Sequence, residues 1–154
     1  MAGRDLSYFM KGVTEEPESV EIRGLDRFKD EKGNVIPFTV RILGQDKVTE
    51  IFERYRKRKL VYRKNGKPEV VGGSAVFEDD SDTARAVRHL IVEALEYPNL
   101  RDKKLMESYG CVDITEMPNK VFRNFKEYNY VAQNVLALHG LNDEDVDEVK
   151  EAKN

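Results

Sequence analysis

The spacing of apolar residues changes repeatedly along this chain, and each change predicts a new element. From Val20, VEIRGLDRFKDEKGNVIPFTVRIL reads as two extended segments around the turn-rich DEKGN. Apolar and polar residues alternate from Phe38 through Val40 to Ile42, which predicts a hairpin with one face buried. Pro37 has no N–H to donate, so it belongs at the entry or edge of that strand. The period then lengthens to that of a helix. In DKVTEIFERYRKRK, Val48, Ile51, Phe52 and Tyr55 share one stripe, predicting a helix from Lys47 to Lys59 with Asp46 as its N-cap. LVYRKNGKPEVV follows, where Asn65-Gly66 suits the two positive-φ positions of a type I′ hairpin turn, and Gly72-Gly73 breaks the extended run.

The second half is helical in period. Ala84, Val87, Ile91, Ala94 and Leu95 form a stripe, with Leu90 beside it, after the acidic and hydroxyl residues Asp79, Asp80, Ser81 and Asp82. Pro98 stops this run near Glu96 or Tyr97, giving a helix of about 15 residues and about 22 Å that should form the centre of the core. Leu105, Met106 and Tyr109 mark a shorter helix closed by Gly110 at a left-handed C′ position. Asp113 and Glu116 have capping-box spacing, with Pro118 tolerable in a first turn. Asn124 and Glu127 cap a final helix carrying Phe125, Tyr128, Val131, Ala132, Val135 and Leu136, and Gly140 closes it. The expected architecture is α+β: a predominantly helical single domain, residues 19–141, with one or two small β-hairpins. Residues 1–18 read as a flexible arm bearing the apolar island Leu6, Tyr8, Phe9 and Met10, and 142–154 as an acidic flexible tail.

Composition narrows the function classes. With 40% apolar and 36% charged residues over 154 positions, the chain can bury one core of ordinary size. A net charge of −3 argues against a strongly basic nucleic-acid binder. One cysteine, Cys111, excludes an internal disulfide and fits a reducing compartment. No signal-peptide pattern opens the sequence, and no apolar run spans a bilayer, so cytoplasm is expected and a membrane partner is not.

Catalytic signatures are missing: no GxGxxG, Walker-type loop, HExxH or GxSxG occurs. His89 and His139 fall on different predicted helices, so with Cys111 they make a poor zinc set, and neither metal nor cofactor is expected. His89 reads as a surface or boundary residue. His139 reads as a helix C-terminal cap favoured in its charged form, and Cys111 as a small buried hydrophobe. Asp79, Asp80 and Asp82 lack calcium-loop spacing and are better explained as helix-start residues. The basic stretch of Arg54, Arg56, Lys57, Arg58, Lys59, Arg63, Lys64 and Lys67, interleaved with Tyr55 and Tyr62, leaves three readings open. It is a solvated face, a dock for an acidic protein, or a nucleic-acid surface.

The order of segments resembles a known family. The most distinctive stretch is VEALEYPNLRDKKLMESYG, a long helix ending in a proline-asparagine turn before a short helix with Leu105 and Met106. The final helix, Tyr130 to Gly140, is the second match. Together with the first hairpin and the helix ending in ERYRKR, these resemble the XkdN-like tail assembly chaperones of contractile-tailed phages and prophages, over about Val20 to Leu141. The resemblance implies a non-enzymatic protein of the host cell cytoplasm, absent from the mature virion. Such a protein binds the tape measure protein and assists assembly of the tail tube, touching the tube protein or another copy of itself. The resemblance also implies an exposed apolar surface in a charged surround. Leu6, Tyr8, Phe9 and Tyr62 are the candidate anchors, with Arg54, Arg56, Lys57, Arg58 and Arg63 steering an acidic partner. The competing readings are a nucleic-acid-binding accessory protein using residues 54–67 and a structural tail completion or connector subunit.

Overall fold

A computed structural model of the chain describes residues 3–12 and 19–142. The flexible-arm reading of 1–2 and 13–18 and the acidic-tail reading of 143–154 fall outside those residues. Ser19–Ile22 (β1) and Phe38–Arg41 (β2) come first, then Gln45–Arg54 (α1). Four short strands follow: Arg58–Leu60 (β3), Val70–Val71 (β4), Ser74–Ala75 (β5) and Phe77–Asp79 (β6). The rest is Thr83–Ala94 (α2), Leu95–Tyr97 (β7), Lys103–Ser108 (α3), Met117–Val121 (α4) and Phe125–Leu138 (α5). Among the described residues helix accounts for 40% and strand for 19%, so the fold is mixed α+β and "predominantly helical" overstates it.

The first hairpin forms as its alternation predicts. β1 pairs antiparallel with β2 from Ser19↔Arg41 to Ile22↔Phe38, and β7 adds to the other edge of β2. Phe38 and Val40 point into the core, and Pro37 stands just before the strand. A bridge at Lys29↔Val35 closes the hairpin again beyond an excursion of residues 23–28. In that excursion Leu25 is buried and Arg27 crosses to α5.

α2 is the centre of the core, as its apolar run predicts. It packs against α1, α4, α5 and β7, burying Ala86, Leu90, Ile91, Val92 and Ala94. Ala84, expected in the stripe, is exposed, because the first turn lies beyond the edge of the core. Asp82 is the cap, accepting from Arg85 N–H. The helix ends at Ala94, earlier than Pro98 alone implies. Leu95–Tyr97 is recruited as β7, and pairing with β2 outweighs one more turn of helix.

α1 likewise starts at Gln45 with Gly44 as N-cap, leaving Asp46 in the first turn, where its charge favours the helix dipole. It stops at Arg54, because Arg58–Leu60 pairs with β6 instead of extending the helix to Lys59. α3 and α5 end as predicted. In each the glycine adopts positive φ and two N–H groups return to the last carbonyls: Cys111→Met106 and Gly110→Glu107, then Leu141→Leu136 and Gly140→Ala137. Asp102 and Asn124 cap their N-termini through Leu105 and Glu127 N–H. Phe125, expected in the buried stripe of α5, is exposed at its first position.

Arg27 ties the hairpin to α5. Its Nε donates to Glu127 Oε2 at 2.6 Å, another guanidinium N–H donates to the Val121 carbonyl, and the group lies 4.1 Å over the Phe28 ring. The second carboxylate oxygen of Glu127, Oε1, is buried without a hydrogen-bond partner among the described residues, so the carboxylate leans on Arg27. The Arg27 hydrogen bond holds the Glu127 carboxyl below its usual 4.5. A folded pKa lowered in this way adds stability that is fully present above about pH 4.5 and is lost as pH falls through the folded value. Glu127→Gln is expected to lower stability by about 2 kcal/mol at neutral pH, since it leaves a part-buried guanidinium unpaired. Urea titrations at descending pH should show the gap to the parent closing below about pH 4.5; a gap unchanged to about pH 2 would remove the pair as its cause.

Candidate partner-binding surface

Residues 55–82 leave the body and return at one place. Asp80 N–H donates to the Lys57 carbonyl at 2.8 Å, Asp82 N–H to the Tyr55 carbonyl at 3.0 Å, and Lys57 N–H to Ser81 Oγ at 3.0 Å. Above this stem β3 and β6 pair antiparallel through Arg58↔Asp79, Lys59↔Glu78 and Leu60↔Phe77. Further out, Tyr62 bridges Pro68, and β4 pairs with β5. The result is a small-stranded ribbon with few buried side chains.

Its turns differ from the sequence expectation in an informative way. Asn65 does not take positive φ; only Gly66 does, at 82°, with Gly66 N–H donating to the Arg63 carbonyl. That is a turn with a glycine bulge, not a type I′ turn. Gly72 and Gly73, at 59° and 81°, supply the two consecutive positive-φ residues and join β4 to β5 through a two-residue loop. Gly-Gly between Val70-Val71 and Ser74-Ala75 was a hairpin signal in its own right.

The ribbon gathers exposed apolar residues. Tyr62 is 60% and Phe77 53% exposed, and Val70 and Val71 are exposed as well. Cross-strand pairing puts Phe77 beside Leu60. Tyr62 follows two positions on, beyond the end of β3, at its bridge to Pro68. Phe77, Val70 and Val71 were not among the predicted anchors.

Of the basic residues, Arg58, Lys59, Arg63, Lys64 and Lys67 lie on the ribbon with Tyr62. Much of the run is met by carboxylates. Arg54 faces Glu50 at 3.4 Å, Arg56 faces Glu53 at 3.8 Å, Lys59 faces Glu78 at 3.2 Å, and Arg58 stands opposite Asp79. Tyr55 does not interleave with them at the surface. Its hydroxyl is hydrogen-bonded to His89 Nδ1 inside the α1–α2 contact. The other predicted anchors, Leu6, Tyr8 and Phe9, sit exposed on a separate 3-10 turn, Ser7–Phe9.

The titratable residues elsewhere hold the body together. His89 is 3% exposed, not a boundary residue; Nδ1 meets Tyr55 and Nε2 lies 3.4 Å from Glu93, which also faces Arg101. Burial pushes its pKa down. The sequence could not show this, because Tyr55 closes the site from another helix. His139 caps α5, but not as a cation: Nε2 accepts from Leu43 N–H at 2.9 Å, while Nδ1 donates to the Val135 carbonyl at 2.7 Å. Those two bonds define the neutral Nδ1–H tautomer. Cys111 is half-buried against the core and its thiol donates to the Asp113 carbonyl. Asp113 accepts from Thr115 and meets Arg85 at 2.9 Å; the Thr115 hydrogen bonds, ahead of Arg85, hold its carboxyl below the usual range. Among the described residues no three His, Cys, Asp or Glu side chains converge as a metal set, and no helix is long and apolar enough to cross a membrane.

Comparison with known proteins agrees with this architecture. Residues 6–153 match the family described as phage XkdN-like tail assembly chaperone protein. The chain is 33% identical to the uncharacterized protein YqbN of Bacillus subtilis over 148 residues, 96% of this chain and 91% of that one. It is 31% identical to the phage-like element PBSX protein XkdN of the same organism over 150 residues, 97% and 94% of the two chains. The crystal structure of YqbN superposes with a TM-score of 0.71 at 26% identity, covering 92% of this chain and all of the other. The chain therefore belongs to the XkdN-like family of phage tail assembly chaperones.

Proposed function

We infer that the chain acts in the host cell cytoplasm by holding the tape measure protein of a contractile-tailed phage or prophage, without catalysing a reaction, and is left out of the finished particle. The observation that carries this reading is the ribbon: the exposed apolar side chains Tyr62, Val70, Val71 and Phe77, among charged residues, raised from the body on a hydrogen-bonded stem. A long helical client presents apolar stripes before assembly, and side chains of this kind offer anchors that exclude water from such a stripe. Lys64 and Lys67 beside it would hasten encounter with an acidic client. The tube protein would be met through the same complex. The nucleic-acid reading is weakened by the carboxylates that face Arg54, Arg56 and Lys59. A structural role as a completion or connector subunit predicts the chain in purified particles, whereas the chaperone reading predicts its absence from them.

Co-expression with the tape measure protein of the same gene cluster tests the proposal. The expected result is a soluble complex of defined mass that forms only when both are present. An insoluble tape measure protein beside a chain eluting alone would refute it.

A further inference from the structure

A cleft of about 660 Å³ opens between the first half of α2, α4 and the first half of α5, and none of its lining residues belongs to the ribbon. Sites that take a ligand group usually enclose about 300–1,000 Å³. Three aromatic residues line this one: buried Phe122, half-buried Tyr128, and Phe125, which is 84% exposed in the first turn of α5. A phenylalanine that lines a cleft and stays this exposed is an anchor without its counterpart.

The charge around it has one sign. Arg88 and Arg123 line the cleft and no carboxylate does. Arg88 is held by the Thr115 carbonyl and Glu116. Arg123 is exposed, and the one carboxylate near it, Glu127, is already engaged by Arg27. The Tyr128 hydroxyl makes no hydrogen bond to another described residue, and burial pushes its pKa up, so it is a donor at neutral pH. Lys120 and Lys126 extend the charge on the adjoining turns. Residues 117–126 thus hold three exposed cations and no carboxylate, in a chain whose net charge is −3.

We propose that this cleft docks an acidic segment of a protein partner. An aliphatic or aromatic side chain of that segment packs on Phe125 and Tyr128. Carboxylates flanking it accept from Arg123 and the Tyr128 hydroxyl, and Lys120 and Lys126 draw the segment in. Charge decides between the possible occupants. A second copy presenting the same surface would bring like charges together. A nucleic acid would meet a net-negative chain, and its phosphates would leave the aromatic wall uncovered. An acidic segment with an apolar anchor satisfies both parts of the cleft. The site uses no residue of the ribbon, so it stands or falls apart from the tape-measure reading.

Fluorescence anisotropy tests this, with the full chain and a short labelled peptide of aspartate and glutamate around a central Leu-Phe pair. Saturable binding is expected at low salt, with a Kd below about 1 mM, weakening as salt is added. The same peptide with lysine for its acids should not bind. With alanine for Leu-Phe it should bind about tenfold more weakly or worse. Phe125→Ser, and Arg123→Glu with Lys126→Glu, should each weaken the acidic peptide by about tenfold or more. These positions are exposed, so the circular dichroism of both variants should match the parent. Tyr128→Phe keeps the ring and should weaken binding by about threefold or more. Reversing Lys64 and Lys67 on the ribbon should leave the affinity as it is.

The proposal is overturned if no binding saturates up to about 1 mM, or if the cleft variants bind as the parent does. It is overturned if the alanine peptide binds equally well, which would leave charge alone. Loss of binding on reversal of Lys64 and Lys67 would move the acidic site to the ribbon and overturn it too. Single-stranded oligothymidylate that binds more tightly than the peptide, and is released by Arg123→Glu with Lys126→Glu, would make nucleic acid the occupant instead. A parent that weighs two chains by light scattering, with Phe125→Ser weighing one, would make the occupant a second copy.

Discussion

Replacing Tyr62 and Phe77 together by threonine should weaken capture of the tape measure protein by about a hundredfold or more while leaving the chain folded. Aromatic anchors at the centre of a contact each contribute on the order of 2 kcal/mol when fully desolvated, and the ribbon carries both of these. Threonine is the choice because it keeps strand propensity and removes the ring, so the β3–β6 pairing survives and the loss reports on contact area. Both side chains are more than half exposed, so the penalty to stability should be about 1 kcal/mol or less. Capture of the co-expressed client and thermal melting of the isolated variant are the two readings needed. Undiminished capture would move the client surface off the ribbon. Loss of capture together with a collapsed melting temperature would mean that the ribbon supports the body, contrary to its exposure. Lys64→Glu with Lys67→Glu is the informative companion, since charge reversal there should slow association more than it speeds release.

The largest effect on stability is expected at Gly24. A Cβ added there would lie 1.9 Å from the Ile36 carbonyl oxygen and 3.3 Å from the Phe38 ring. The obstacle is backbone, so no rotamer relieves it. Either β1 and β2 part, or Ile36 moves and carries Phe38 out of its place between Phe28 and Phe122. Gly24→Ala should therefore cost about 3 kcal/mol, at the upper end of overpacking penalties, or roughly 10 °C in Tm for a chain of this size. Gly44→Ser is the control. No atom lies within 4 Å of an added Cβ there, and a hydroxyl at the N-cap of α1 should be neutral or mildly stabilising. Denaturant midpoints within about 0.5 kcal/mol for Gly24→Ala would show that the crossing relaxes freely.

Features closed by near neighbours in the chain were legible in the sequence. The cap at Asn124 and the glycine closures at Gly110 and Gly140 are settled within a few residues, and all were readable from residue type and spacing. Features decided at long range were not. Arg58–Leu60 has a helix-like pattern behind it and becomes strand only because Phe77–Asp79 lies alongside. Leu95–Tyr97 leaves the helix for the same reason, with β2 as its partner. His89 reads as a surface or boundary residue from its neighbours in sequence, and Tyr55, which shelters it, is 34 positions away. In the candidate site, Tyr62 and the basic residues were readable as a cluster. Phe77, Val70 and Val71 were not legible, because Gly72-Gly73 reads locally as a break and only the pairing of β4 with β5 makes it a turn.

The stem of the ribbon has a consequence for how such a protein can change over time. Exit at Tyr55 and re-entry at Asp82 are joined by a hydrogen bond, so the distance between α1 and α2 is set below the ribbon and not by its length. Residues 58–79 thus behave as a cassette. They can lengthen, shorten or swap their aromatic residues, while Leu90, Ile91 and Val92 in the body continue to specify the same core.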